Sequence, residues 1–131
     1  MKSPELAKMK ENIEEIRLTE IVGSDLCIAS EDGQKVHDAI KKALQEEKKI
    51  RISFKDVDDL TSAFLNSAIG QLYGEFSEDD LKDSLAVSDV SREDLLLLKR
   101  VIQRAKEFFK DKKRFEMATR ELLGEDDATA N

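Results

Sequence analysis

The apolar positions of this 131-residue chain change period several times, and each change predicts an element. From Ile16 to Val22 (Ile-Arg-Leu-Thr-Glu-Ile-Val) the alternation predicts a strand, Gly23-Ser24-Asp25 a turn, and Leu26 to Ala29 a short second strand. The segment is therefore expected to fold as a β-hairpin. Ser30 stands where an N-cap belongs, ahead of a helix with Val36, Ile40, Ala43 and Leu44 on one face. Ile50, Ile52 and Phe54 alternate with Arg51 and Ser53, the pattern of a strand with one buried face. A central parallel strand covered on both faces would be almost wholly apolar, so the helices are expected mainly on one side of the sheet.

Past the acidic turn Asp56-Val-Asp-Asp59, helical spacing returns at Phe64, Leu65, Ala68, Ile69 and Leu72, in a helix opening at Thr61 and Ser62. Ser77-Glu-Asp-Asp80 and Ser91-Arg-Glu-Asp94 have the spacing of capping boxes, with aspartate at the third helical position. The first opens a short helix through Leu81. The second opens the longest, carrying Leu95, Leu98, Val101, Ile102, Ala105, Phe108 and Phe109. Between them, Ser84 to Ser88 reads as a short strand. Strands joined through helices pair in parallel by right-handed crossovers, and the hairpin makes the sheet mixed. The expected fold is a single α/β domain: a mixed four-stranded sheet with an N-terminal hairpin and helices mainly on one face. It is expected to span 15–123, between an N-terminal arm (1–14, with the only proline, Pro4) and a disordered acidic tail (124–131).

Charge narrows the class of partner. With 39% charged residues and a net charge of −7, the surface is expected to be soluble and mostly acidic, without the basic footprint of a general nucleic-acid binder. One stretch departs from that. Between Lys99 and Arg114 eight basic residues face two acidic ones, a local +6 that leaves −13 on the rest of the chain. The plain reading is a solvated helix face; the sharper one is a docking surface for an acidic protein or, second to it, nucleic acid. No apolar run reaches the roughly 20 residues of a membrane span, and the charged N-terminus lacks the apolar stretch of a signal peptide. The single cysteine, Cys27, excludes an internal disulfide and a multi-cysteine zinc site and fits a reducing compartment. A cytoplasmic protein without a membrane partner is expected.

Candidate chemistry is sparse. Asp56, Asp58 and Asp59 lack the glycine and terminal glutamate of a calcium loop and read as a solvated turn. His37 neighbours Val36 and Ile40 and reads as a flank residue, with no nucleophile beside it in sequence. Cys27, between Leu26 and Ile28, reads as a small core residue. No catalytic constellation emerges, so no enzyme activity, metal or cofactor is expected. Thr61 and Ser62 carry two readings. A hydroxyl there can cap the helix, contributing about 1 kcal/mol, or Ser62 can accept a phosphate beside free backbone N–H groups.

The residues Ile52-Ser-Phe-Lys-Asp-Val57 and Leu60-Thr-Ser-Ala-Phe-Leu-Asn66, with the elements before them, resemble the STAS fold of bacterial anti-sigma-factor antagonists, and most closely its uncharacterised STAS-like subfamily. In the antagonists the corresponding turn reads Asp-Ser-Ser-Gly-Leu, and its first serine is phosphorylated by a partner that is both kinase and anti-sigma factor. Ser62 and Leu65 match that serine and leucine, while Thr61, Ala63 and Phe64 replace the aspartate, second serine and glycine. The resemblance implies a signalling domain that binds another protein, an ATP-binding kinase-like regulator. It implies a binding surface at Asp58, Asp59, Thr61, Ser62, Phe64 and Leu65, and Ser62 as the phosphorylation site. The alternative is a constitutive structural or oligomerisation module, a homodimer joined through an uncovered sheet face or the Leu95-Leu-Leu-Leu98 run.

Overall fold

Strand β1 (Ile13–Arg17) runs directly into a one-turn helix, α1 (Leu18–Val22), in the computed structural model, which describes residues 13–124. There follow β2 (Leu26–Cys27), α2 (Ser30–Gln45), β3 (Lys49–Ser53), β4 (Asp59–Leu60) and α3 (Ser62–Ala68). A 3₁₀ helix (Gly70–Gly74), α4 (Glu78–Ser84), β5 (Leu85–Ser88) and α5 (Arg92–Leu123) complete the order. Three strands form one parallel sheet in the order β1-β3-β5, and β2 and β4 form a separate parallel ladder of two residues each.

The expected hairpin is therefore absent, and with it the mixed, four-stranded sheet: every pairing is parallel, in sheets of three and two strands. The reason lies in a period read too far. Ile16 and Leu18 keep the strand alternation across the β1–α1 junction, but Leu18, Ile21 and Val22 are spaced i, i+3, i+4, which is helical. Gly23 closes that turn in the left-handed region at φ 79°, its N–H donating to the Thr19 carbonyl at 2.8 Å. Ile13 and Glu14, assigned to the arm, begin β1, and the remainder of the arm and the tail from Glu125 lie outside the described residues. Ser30 is the first residue of α2 rather than its cap. Ala29 holds the cap position without a side-chain bond, and the Ser30 carbonyl accepts from Ser67 Oγ at 2.8 Å.

The one-sided covering of the sheet holds. Ile16 pairs with Ile52 in register, and Ile52 with Val87, on the face that packs against the helices. On the other face Glu15, Arg51 and Ala86 stand side by side across the three strands, all exposed. The core joins the inner sheet face to α2, α3, the 3₁₀ helix and the first half of α5 through Val36, Ile40, Phe64, Leu65, Leu72 and Leu98. The helix after the acidic turn buries all five residues expected of it, though Ile69 and Leu72 lie past the end of α3. Both serines cap their helices: Ser77 Oγ accepts from Asp80 N, and Ser91 Oγ from Asp94 N, each at 3.1 Å. Helix α5 runs alongside the 3₁₀ helix in the same direction, since Gly70 lies against Val101 and Ala105, and Gly74 against Phe109.

Candidate functional site

In a parallel sheet the loops beyond the carboxyl ends of the strands are where ligands and partners meet the fold. Here that edge carries the segment from Phe54 to Ser62. Phe54 N–H donates to the Ser88 carbonyl at 2.9 Å, extending β3 along β5. Ser53, buried at the end of β3, donates from its hydroxyl to Asp89 at 3.0 Å and accepts from Lys55 N–H at 3.2 Å. The chain then turns through Asp56, whose φ of 64° is left-handed, a conformation that aspartate tolerates better than most residues.

The turn is tied down at its far side. Asp58 N–H donates to the Asp25 carbonyl at 2.8 Å, Thr61 N–H to the Cys27 carbonyl at 3.2 Å, and β4 lies along β2 between those bonds. Thr61 is the helix cap: its Oγ1 accepts from Phe64 N–H at 3.1 Å while its hydroxyl proton goes to the Ile28 carbonyl at 2.7 Å. One hydroxyl thus satisfies the start of α3 and clamps it to the segment after β2.

The residues expected at a binding surface separate into two groups. Asp58 and Asp59 are exposed, and Thr61 and Ser62 are partly exposed, with Ser62 the first residue of α3 and making no hydrogen bond to another described side chain. Phe64 and Leu65 are each 0% exposed and belong to the core. Both are enclosed in this conformation, so of the six only Asp58, Asp59, Thr61 and Ser62 reach the surface, with Ala63 exposed beside them.

Neighbouring carboxylates outside this segment act on a buried group behind it. Cys27 is completely buried, and its thiol is pushed up from 9.0 to about 11, first by burial, then by the negative charges of Asp32, Asp25 and Asp94. A group whose folded value is raised adds stability below its unfolded value, and that contribution is lost as pH rises through the folded one. We expect Cys27 to resist a disulfide reagent at pH 8 in the native protein and to react at once in denaturant. We further expect the fold to weaken as the pH climbs from 9.0 towards about 11. Fast native labelling would show that the thiol is accessible.

His37, expected on a helix flank, is instead buried, at 3% exposure. Its Nε2 lies 2.7 Å from Glu75 Oε1, and its Nδ1 lies 3.1 Å from both Asp38 Oδ1 and Gln34 Nε2. Gln34 in turn accepts from Gln71 at 2.9 Å. The hydrogen bond from His37, with that from Gln34, lowers the Asp38 carboxyl below its ordinary range. The spacing of Gln34, His37 and Asp38 along α2 puts them together, but Glu75, 38 residues from His37, is invisible to local pattern. The ring's partners include no hydroxyl or thiol, so the bridge fastens α2 to the chain after the 3₁₀ helix and forms no nucleophile–base pair. Among the described residues no group of three or more His, Cys, Asp or Glu side chains is placed to hold a metal ion, and no helix is long and apolar enough to cross a membrane.

Residues 32–95, from the first turn of α2 to the first turn of α5, match the family model described as a STAS-like domain of unknown function (DUF4325). The chain contains a STAS-like domain. The matched region holds the whole turn from Asp56 to Ser62 and the helix that follows, so the edge described above is part of the STAS-like domain. Most of α5 lies beyond it. Neither the curated proteins nor the solved structures gave a match.

Proposed function

We propose that this STAS-like domain is a non-enzymatic regulatory module that binds another protein through the edge formed by Asp58, Asp59, Thr61 and Ser62. The observation that carries the reading is the fixed geometry of that edge. Bonds from Asp58 and Thr61 to Asp25, Cys27 and Ile28 hold two exposed carboxylates and a hydroxyl in one arrangement, although the segment contains no core of its own. The carboxylates suit a basic partner surface, whose approach would be steered by charge and slowed by added salt.

In the fuller form of the proposal the partner is an ATP-binding kinase-like regulator and Ser62 its phosphorylation site, as in the antagonists the sequence resembles. Among the described residues the hydroxyl of Ser62 makes no hydrogen bond at the start of α3, whereas that of Thr61 is spent on the cap and on Ile28. A phosphate on Ser62 would add charge of the same sign as Asp58 and Asp59, and it would release a partner that packs an apolar or acidic group against the Ser62 hydroxyl while its basic groups meet the carboxylates.

The test is to recover the protein from its host with whatever binds it and to map phosphorylation by mass spectrometry. An ATP-binding protein recovered by the native domain and lost with Asp58→Lys supports the binding edge. Phosphate on Ser62 in the unbound fraction supports the switch. An unmodified Ser62 under every condition removes the switch and leaves the binding module, and capture unaffected by Asp58→Lys moves the binding surface elsewhere.

A further inference from the structure

The apolar stripe of α5 outruns the domain on which it packs. The helix has 32 residues, about 48 Å at 1.5 Å per residue. Its buried positions, Leu98, Val101 and Ala105, all lie in the first half. Seven residues beyond Val101 comes Phe108, then Phe115, then Leu122, the same helix face continued at heptad spacing. These three are 59%, 72% and 86% exposed. Large apolar side chains repeated along one exposed helix face call for a surface to cover them.

Charge and symmetry select what covers it. Residues 108–123 carry five basic and three acidic side chains, a mixed face rather than the single sign that nucleic acid or an anionic membrane would favour. The stripe is symmetric about Phe115, with Phe108 and Leu122 seven residues to either side. Lys112 is the one charge within the stripe: a parallel, in-register pair would set it against its own copy. An antiparallel pair about a twofold axis at Phe115 brings it beside Glu116 of the other copy and matches Phe108 with Leu122. Phe108 also lines, with Asn66, Gly70 and Gln71, an apolar groove of about 320 Å³ on the domain, where that leucine would arrive.

We propose that residues 108–123 of α5 pair antiparallel with the same residues of a second copy of this chain, Phe115 facing Phe115 and Leu122 of each copy seated at the Phe108 groove of the other. The interface is isologous and closed, as twofold dimers are. Its helical part, residues 108–123, lies beyond the residues matched by the family model, the groove it reaches is at the far end of α3 from Ser62, and the proposal stands whether or not the Ser62 edge binds a partner.

Light scattering on the full chain reads the result directly. The native protein is expected to have twice the chain mass, and Phe115→Glu to have the single-chain mass with unchanged native circular dichroism, because Phe115 makes no core contact within one copy. Lys112→Glu and Glu116→Lys are each expected to weaken the dimer at least tenfold, and the double reversal to restore it. A native protein that stays monomeric at high concentration overturns the proposal, as does one that is monomeric yet binds anionic vesicles or nucleic acid. A dimer that survives Phe115→Glu overturns it equally, and failure of the double reversal to rescue overturns the antiparallel register.

Discussion

Replacing Phe64 with alanine is expected to cost about 3–5 kcal/mol of stability, the range for truncating a buried aromatic. That approaches the whole stability of many small domains. Phe64 is 0% exposed and is among the largest side chains fully enclosed by the fold. Its loss would leave a cavity where α3 meets α2, bounded by elements whose other contacts keep it from collapsing. The backbone N–H of Phe64, which donates to Thr61 Oγ1, is kept in the alanine variant, so the loss reads the ring and not the cap. Denaturant unfolding should show the midpoint falling at nearly constant slope. Phe64→Leu, which keeps much of the volume, should cost about 1 kcal/mol. If Phe64→Ala lost less than its leucine counterpart, the ring would not be the core residue described.

Gly33→Ala is the second large effect, and its sign is set by geometry against propensity. Alanine in a helix interior is favoured over glycine by about 1 kcal/mol. A Cβ on Gly33, however, would lie 2.4 Å from the Phe64 carbonyl oxygen, 2.8 Å from Ser67 Cβ and 3.2 Å from Ala68 N. Two of those three atoms are backbone, so no side-chain rotation relieves the clash and α2 must move off α3. Overpacking costs about 1–3 kcal/mol or more, and a contact this short belongs at the upper end, giving a net loss of about 2 kcal/mol. Thermal unfolding is the measurement, and a melting temperature at or above that of the native protein would mean that the two helices are not in backbone contact. Because Gly33 and Phe64 meet, the two changes should not be additive.

Much of this fold could be read from local pattern because its helices announce themselves. Ser77 and Ser91 cap as their spacing requires, and β3 and β5 fall where alternation places them. The one-sided burial of Ile50 and Ile52 against Arg51 foretold the open sheet face. What failed was the segment from Leu18 to Cys27. Five residues of helix and two of strand are too short for a period to declare itself, and the partner of β2 is β4, more than 30 residues away. The same distance hid the ties that shape the candidate edge. Sequence placed a hydroxyl at the start of α3, but the bond from Thr61 to Ile28, which separates a structural hydroxyl from a free one at Ser62, is a long-range contact. Phe64 and Leu65 were assigned to a surface by resemblance, yet their own helical spacing with Ala68 and Leu72 marks them as core.

The double tie of Thr61 has a consequence for how tightly this edge can bind. A flexible loop must be ordered by the molecule that recognises it, at roughly 0.5–1.5 kcal/mol for each side chain immobilised, and that cost comes out of the affinity. Here the backbone N–H and the hydroxyl of Thr61 have already fixed the chain to Cys27 and Ile28, so the ordering was done when the protein folded. A small contact area can then suffice for recognition, and the shape a partner meets is the shape it leaves.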